Sequence, residues 1–237
     1  TEFMIFGTKQ DITKVSELSD TVGGNKIMPS STARNIGAYR DAAMNMGCHV
    51  NNNIRSCYYQ LRAISKIRKY LSFDAIVKLC HSFITFRLDN LNSLLHKLPD
   101  YQIYKLQLIQ NNTARMIKGL RKHHHITPTL KELHWLPVPE RIQYKIILLV
   151  FKCVHNQAPS YLMEMICPYQ PTRALRSSSH LLLEARKTSK KYGERAFSVC
   201  GPKLWNSLPL HIRQKETVET FKVALKTYLF RRVYNVI

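Results

Sequence analysis

Three adjacent histidines are the most concentrated chemical feature of this chain. His123, His124 and His125 open the stretch HHHITPTLKELHWLPVPER, residues 123–141, which also contains His134. Imidazole nitrogens bind zinc or copper, but adjacent side chains do not converge on one ion unless the backbone is contorted, and no cysteine lies close by. We therefore favour a histidine cluster at a helix C-terminus, or one that faces phosphate, over a metal site.

The other candidates for catalysis are isolated residues. Cys80 and His81 are neighbours, so on a helix their side chains point about 100° apart and cannot form a thiolate–imidazolium pair. Two-metal polymerase or nuclease chemistry needs carboxylates within a few ångströms of each other, but no Asp-Asp pair occurs, and Asp41, Asp74 and Asp89 are far apart in sequence. The sequence therefore predicts no catalytic site and no bound metal or cofactor.

The charge of the chain is strongly positive. Lys+Arg number 36 against 15 Asp+Glu, which gives a formal net charge of +21, and 45% hydrophobic residues suffice for a core. A polyanion is the expected partner, because each neutralised phosphate releases condensed counterions. Ribosomal, chromatin and membrane-surface proteins share this property. Charge and aromatic content together favour RNA or DNA.

The cysteines and the longest apolar run indicate the compartment. The six cysteines are scattered and never spaced as C-x-x-C, and nothing resembling a signal peptide precedes them. We therefore expect a reducing, intracellular compartment instead of a disulfide framework. Ile146–Phe151 is the longest apolar run. It is far shorter than the roughly 20 residues that cross a bilayer, so no transmembrane segment is predicted.

The first 50 residues predict a small β element. Glu2–Gly7 is a short apolar run ending in glycine, which is typical of a buried strand. Gly23-Gly24 is a turn signal between the strand-like segments Leu18–Val22 and Lys26–Met28. Residues 33–41, ARNIGAYRD, predict another strand or turn.

Amphipathic helices are predicted from residue 51 onward. The first begins at Asn51, and Ser72 or Asp74 is expected to cap the second. The third spans Tyr101–Leu120. Their apolar stripes predict the core of a small bundle. The inward-facing residues of the second helix are predicted to be Ile76, Leu79, Cys80, Phe83 and Ile84.

The segment after residue 123 is also mostly helical in pattern. Pro139 suits the first turn of a helix that continues over Arg141–Val154, and Thr217 is expected to cap a final helix. Trp135 and Trp205 each lie in a Leu-rich, Pro-flanked setting. We interpret them as packing anchors and not as platforms for bases.

Several motifs, in order, resemble the reverse transcriptases of non-LTR (LINE-type) retrotransposons. HITPTLKELHWLPVPERIQYKIILLVFKCVHNQAPSYL (residues 125–162) resembles the region beyond the polymerase core of that family. RLDNLNSLLHKLP (87–99), KLQLIQNNTARMI (105–117), GERAFSVCGPKLWNSLPLHIR (193–213) and FKVALKTYLF (221–230) also follow its pattern. The resemblance covers essentially the whole chain. The sequence departs from the family at Asn90, Leu91 and Lys97, where an aromatic residue, a cysteine and a glycine are usual.

The N-terminal residues resemble the end of the family's palm. TEFMIFG (1–7) is similar to the strand that follows the catalytic aspartates, and ARNIGAYRDAAMNMGCHV (33–50) is similar to the primer grip, whose pattern Gly37, Asp41 and His49 match. The resemblance implies that the fingers, most of the palm and an endonuclease domain lie upstream in a longer parent protein. It also implies that Mg²⁺ serves the parent enzyme and that this chain does not polymerise alone.

The predicted fold class is mainly α. A palm-edge and primer-grip remnant (residues 1–50) precedes a helical thumb-like bundle (51–122) and a basic, mostly helical C-terminal region (123–237). The expected function is that of a C-terminal reverse-transcriptase fragment in a nuclear or cytoplasmic ribonucleoprotein, gripping template–primer and element RNA or target DNA. The alternative is a vestigial or domesticated basic protein that binds another protein or an acidic membrane surface. The predicted nucleic-acid contacts are Arg55, Arg62, Lys66, Arg68, Lys69, Arg115, Lys118, Arg121, Lys122, His123, Arg173, Arg176, Arg186 and Lys187.

Overall fold

A computed structural model of the chain describes residues 2–15, 18–170, 181–189 and 192–235. Helices account for 59% of it and strands for 8%, so the predicted mainly α architecture with a small N-terminal β element is confirmed. The chain divides into two compact units. Unit 1 is Thr1–Leu91 with Leu98–Ile117, and unit 2 is Asn92–Lys97 with Lys118–Ile237. The domain bounds predicted at residues 50 and 122 stay predictions.

The β element of unit 1 begins with a hairpin that follows a short helix. Helix α1 is Lys9–Lys14, strand β1 is Asp20–Val22 and strand β2 is Asn25–Ile27. The two strands pair antiparallel across Gly23 and Gly24, whose φ values of 59° and 81° are the left-handed conformation that glycine adopts without a steric penalty. The turn predicted at this glycine pair is therefore confirmed.

A second hairpin leads into the first long helix. Strands β3 (Thr32–Asn35) and β4 (Ala38–Asp41) pair antiparallel, and Gly37 lies in the turn between them with a φ of 82°. The prediction of a strand or turn over residues 33–41 is confirmed, because the segment contains parts of two strands and the turn that joins them. Ala38 and Asp41 are the buried residues of β4, so this strand faces the core of unit 1.

The buried strand predicted over Glu2–Gly7 is wrong. Phe3 makes a single bridge to Pro29, and Gly7 donates its N–H to the carbonyl oxygen of Ala42. Proline has no N–H with which to continue a ladder, so pairing does not extend along the segment. Phe6 is 47% exposed, which shows that the apolar run does not pack as a core strand.

Unit 1 is completed by four helices that carry buried apolar side chains. Helix α2 is Gly47–Ile67, α3 is Phe73–Cys80, α4 is Phe86–Asp89 and α5 is Asp100–Lys118. Ser72 caps α3 by accepting a hydrogen bond from the N–H of Ala75, so the first of the two predicted caps is the one used. The buried apolar residues of these helices include Val50, Cys57, Ile64, Ile76, Ile84, Leu88, Leu106, Ile109, Ala114 and Ile117.

The inward-facing set predicted for the second helix contains one error. Ile76, Cys80 and Ile84 are buried as expected, but Phe83 is 43% exposed. A π-helical turn at His81–Thr85 joins α3 to α4 and closes with a bond from the N–H of Phe86 to the carbonyl oxygen of His81. A regular period of 3.6 residues predicts that Phe83 faces the core. The π-helical turn contains an extra residue, which rotates Phe83 away from the core.

Unit 2 is helical apart from its connecting segments. Its α-helices are α6 (Thr127–Glu132), α7 (Val138–Val154), α8 (Ser160–Met163), α9 (Phe197–Asn206), α10 (Leu210–Arg213) and α11 (Val218–Tyr234). The predictions that Pro139 opens α7 and that Thr217 caps α11 are both confirmed, the latter by a bond from the N–H of Thr220 to the Thr217 hydroxyl. A 3-10 turn at Asn92–Leu95 packs against α7.

The core of unit 2 forms around stacked aromatic rings. Trp205 is fully buried, and its ring lies 5.9 Å from that of Phe221, which in turn stacks on Phe151 at 4.1 Å between centroids. Trp135 is also buried, and its carbonyl oxygen accepts a hydrogen bond of 2.8 Å from the Tyr234 hydroxyl. Both tryptophans are therefore packing anchors, as the sequence predicted.

Candidate nucleic-acid interface

Helix α2 separates an apolar face from a basic one. Cys57 and Ile64 are buried on one side, whereas Arg55, Arg62 and Lys66 are exposed on the other. Because each residue advances the helix by about 100°, these three cations fall within about 40° of arc, and Tyr59 widens that arc to about 60°. The face continues into the 3-10 turn Arg68–Tyr70. We call this surface the basic face of α2 and define it as Arg55, Tyr59, Arg62, Lys66, Lys69 and Tyr70.

The cations of this face have no counterions among the residues that the structure describes. Residues 47–70 contain no aspartate or glutamate. The next acid along the chain, Asp74, already pairs with Lys78 at 2.6 Å. Within the described ranges Arg55, Arg62, Lys66 and Lys69 form no ion pair. Their charge is therefore available to an anion from outside the protein.

Arg68 is the exception among the predicted contacts of this helix. It lies about 180° from Tyr59 around the helix and is half-buried. Its guanidinium donates to the carbonyl oxygens of Met116 at 2.7 Å and Ile117 at 3.5 Å. These carbonyls belong to the last turn of α5, where a cation complements the helix dipole. Arg68 thus serves the end of α5 and does not belong to the basic face.

The predicted contacts near the end of α5 fall into two groups, which differ in whether they already have a partner within the protein. Arg115 is half-buried and donates to the side-chain oxygen of Asn112, and Lys118 forms an ion pair with Glu132. Arg121, Lys122 and His123 are exposed in the connection that leads to α6. The structure therefore leaves these last three accessible to phosphate, while Arg115 and Lys118 already have partners within the protein.

Two of the four C-terminal predicted contacts lie in a segment that is tied to α9. Arg173 and Arg176 lie outside the described residues, whereas Arg186 and Lys187 are exposed. The side-chain amide of Asn206 pairs with both main-chain groups of Leu183, at 2.9 Å and 2.8 Å.

A second bond fixes the same segment. The indole N–H of Trp205 donates to the carbonyl oxygen of Leu181 at 2.8 Å. The stretch that carries Arg186 and Lys187 is thus anchored at its N-terminal end.

The three residues that match the primer-grip pattern lie at the start of α2 or just before it. Gly37 occupies the β3–β4 turn, and Asp41 accepts a hydrogen bond of 2.9 Å from the N–H of Asn45. His49 is buried, and its Nε2 lies 3.2 Å from the side-chain nitrogen of Asn53. An amide nitrogen only donates, so Nε2 accepts and a neutral ring carries its proton on Nδ1. Burial lowers the pKa of His49 and favours this neutral form.

The residues with potential catalytic or metal chemistry are not brought together. His123, His124 and His125 are all exposed. In the part of the chain that the structure describes, no three His, Cys, Asp or Glu side chains gather as a group that could hold a metal ion. Burial raises the pKa of Cys80 to about 12, which keeps this thiol protonated at neutral pH and makes it a poor nucleophile.

Two aromatic residues of the basic face were missed by the sequence predictions. Tyr59 is 71% exposed and Tyr70 is 76% exposed. The ammonium of Lys69 lies 4.8 Å from the centre of the Tyr70 ring. Helical spacing offered a signal, because Tyr59 and Tyr70 each follow a cation of the same face by four residues, Arg55 and Lys66.

Neither the helices of the structure nor a comparison with known proteins assigns a function to the chain. None of the described helices combines the length and the apolar content needed to cross a bilayer. No protein-family model, curated protein or solved structure matches the chain at a significant level.

Proposed function

We propose that this chain binds nucleic acid as the C-terminal part of a non-LTR retrotransposon reverse transcriptase. In this proposal it grips template–primer and element RNA or target DNA through the phosphate backbone. The observation that carries the proposal is the basic face of α2, where Arg55, Arg62, Lys66 and Lys69 are exposed in an acid-free stretch and form no ion pair within the described residues. Cations arranged in this way replace condensed counterions on phosphate.

The ordered sequence motifs support the family part of the proposal. Residues 125–162 and 193–213 resemble the region beyond the polymerase core of that family, and both fall in unit 2. We assign a gripping role to the chain and leave phosphoryl transfer to the magnesium-binding aspartates of the parent enzyme.

Binding across a salt series tests the proposal. The full chain is titrated into a fluorescent hairpin RNA and into a duplex DNA of matched length, and the dissociation constant is measured by anisotropy. Four phosphate contacts predict that affinity falls about 100-fold when the salt concentration rises fourfold. A folded chain that binds neither probe at low salt, or that binds with no salt dependence, would contradict the proposal.

A second candidate is a basic interaction protein that binds an acidic membrane surface or another protein. The observation in its favour is a set of exposed phenylalanines in and between α3 and α4: Phe73 is 53% exposed, Phe83 43% and Phe86 68%. Exposed aromatic residues of this kind mark interaction surfaces. Flotation with anionic vesicles separates the two candidates, since co-flotation without RNA or DNA binding supports the second.

A further inference from the structure

We propose that the basic face of α2 takes a single-stranded segment of RNA or DNA and stacks its bases on Tyr59 and Tyr70. This inference rests on the proposed function and narrows it, because backbone gripping alone does not distinguish a single strand from a duplex. Proteins that hold single strands combine cations that follow the backbone with aromatic rings on which bases stack. The basic face of α2 contains both kinds of residue.

Tyr59 is placed to present a free ring. Its neighbour Tyr58 points inward, and the Tyr58 hydroxyl accepts a hydrogen bond of 3.1 Å from the side chain of Asn112. Tyr59 lies one residue further around the helix, is 71% exposed and forms no hydrogen bond with the described residues. Of these two adjacent tyrosines, one therefore holds α2 to α5 and the other faces solvent.

Tyr70 has one ring face near a cation. Lys69 places its ammonium 4.8 Å from the ring centre, a cation–π geometry, while the side chain of Tyr70 stays 76% exposed. The opposite face of the ring is open to a base. A phosphate next to that base would meet the positive charge of Lys69.

The spacing of the two rings matches a short run of nucleotides. Tyr59 and Tyr70 are eleven residues apart. The α-helical part, up to Ile67, contributes about 12 Å at 1.5 Å per residue, and the 3-10 turn that follows contributes about 6 Å at 2.0 Å per residue. The two rings are thus about 18 Å apart along the axis, with about 80° of rotation between them. One strand of stacked nucleotides advances about 3.4 Å per phosphate, so the interval spans about five nucleotides. Arg62 and Lys66 lie between the rings, where they meet the intervening phosphates.

The same geometry gives a duplex no base stacking on this face. In a duplex the base faces are covered by their stacked neighbours, so Tyr59 and Tyr70 would meet only sugar and phosphate. The cations would still bind, but the rings would contribute little. This site should therefore bind single strands more tightly than duplexes, and the preference should disappear when the two tyrosine rings are removed.

The test compares variants of the full chain on matched probes. Labelled oligothymidylate and oligouridylate, each long enough to span both rings, are titrated beside a duplex DNA of equal length. Tyr59→Ala and Tyr70→Ala are each expected to weaken single-strand binding about 5- to 150-fold and to leave duplex binding unchanged. Tyr59→Phe and Tyr70→Phe keep the ring and should bind as the native chain does.

A matched control comes from unit 2. Tyr161 is 61% exposed on α8 and lies three residues before Glu164, away from any run of cations in sequence. Tyr161→Ala should leave all affinities unchanged. Tyr59→Leu and Tyr70→Leu, which keep most of the apolar side-chain volume without an aromatic ring, provide the same test if an alanine variant fails to fold.

The outcomes separate this inference from the function on which it rests. If single strands and duplex bind equally and the alanine variants of Tyr59 and Tyr70 bind as the native chain does, base stacking is wrong and backbone gripping stands. If the phenylalanine variants lose as much affinity as the alanine variants, the hydroxyls act and stacking is again overturned. If no probe binds at all, the proposed function fails together with the inference.

Discussion

The guanidinium of Arg68 donates to the carbonyl oxygen of Met116 at 2.7 Å and so joins the end of α2 to the last turn of α5. Sequence reasoning grouped Arg68 with its basic neighbours as a phosphate contact. The structure instead divides the cations of α2 and of the 3-10 turn that follows it into one that caps a helix and several that face solvent. This division determines which substitutions should affect stability and which should affect binding.

Arg68→Ala should therefore destabilise unit 1. Hydrogen bonds from a charged donor contribute about 1.5–3 kcal/mol, and removing Arg68 leaves the carbonyls of Met116 and Ile117 without this donor. We expect the free energy of unfolding to fall by about that amount in urea denaturation followed by circular dichroism. Arg62→Ala, an exposed substitution on the same helix, is the control. Equal stability of the two variants would contradict the helix-capping role.

The sequence predicted those features of the fold that depend on residues close together in the chain. Gly23-Gly24, Ser72 and Thr217 act within four residues of their own positions, and all three predictions are confirmed. The exposure of Phe83 was missed because a π-helical turn changes the helical period without a distinctive residue type. The role of Arg68 was missed because its partner Met116 is 48 residues away.

The sequence also predicted part of the candidate site. Helical periodicity placed Arg55, Arg62 and Lys66 off the apolar face of α2, and the structure finds them exposed. The same periodicity puts Tyr58 on the apolar face with Ile54 and Ile64, and it puts Tyr59, about 100° further on, on the side of the cations. It does not give the partner of Tyr58, because the hydrogen bond from Asn112 joins residues far apart in sequence.

Asn206→Ala should loosen the segment that carries Arg186 and Lys187. The substitution removes both hydrogen bonds to Leu183, and each is worth about 1 kcal/mol, so local opening should rise about 5- to 30-fold. Limited trypsin digestion with mass spectrometry should then show faster cleavage after Arg186 and Lys187. Ser207→Ala, which removes an exposed hydroxyl bonded within its own helical turn, should cleave at the native rate. The same cleavage rate in both variants would contradict the anchoring role.

Tyr234 should make the stability of unit 2 sensitive to alkaline pH. Burial, assisted by the negative charge of Glu140, raises the pKa of Tyr234 to about 12. An unfolded tyrosine titrates near pH 10, at about the model-peptide value, so the folded protein retains this proton as the pH rises from about 10 to about 12. The contribution is complete below the unfolded pKa and is lost as the pH rises through the folded one.

Comparison with Tyr234→Phe isolates this effect. At pH 7 the variant should be less stable by about 1 kcal/mol, because the carbonyl oxygen of Trp135 loses the hydroxyl donor. The difference in unfolding free energy should close as the pH rises above about 10, since phenylalanine does not titrate. A difference that stays constant up to pH 12 would mean that Tyr234 titrates normally in the folded protein.

His49 should make the stability of unit 1 decrease at acidic pH. Burial lowers its pKa, so the folded state favours the neutral ring, and its contribution to stability is present above the unfolded pKa near 6.5. That contribution is lost as the pH falls through the lower folded value. His49→Gln should remove this part of the acid destabilisation in a thermal-melt series, whereas the exposed His123→Gln should not. An unchanged pH profile in His49→Gln would rule out this contribution.

Neutralising the basic face of α2 and measuring the salt dependence of nucleic-acid binding decides whether this face contacts phosphate. A variant carrying Arg55→Gln, Arg62→Gln, Lys66→Gln and Lys69→Gln is compared with one that removes the same charge from exposed cations of α7 and α11. The substitutions of this control are Lys145→Gln, Lys222→Gln, Lys226→Gln and Arg231→Gln.

Each lost phosphate contact lowers the slope of log affinity against log salt by about 1, so the α2 variant should lose a slope of about 4. The control should keep most of the native slope. If both variants keep the native slope, or both lose it equally, the basic face of α2 does not form the nucleic-acid contact that we propose.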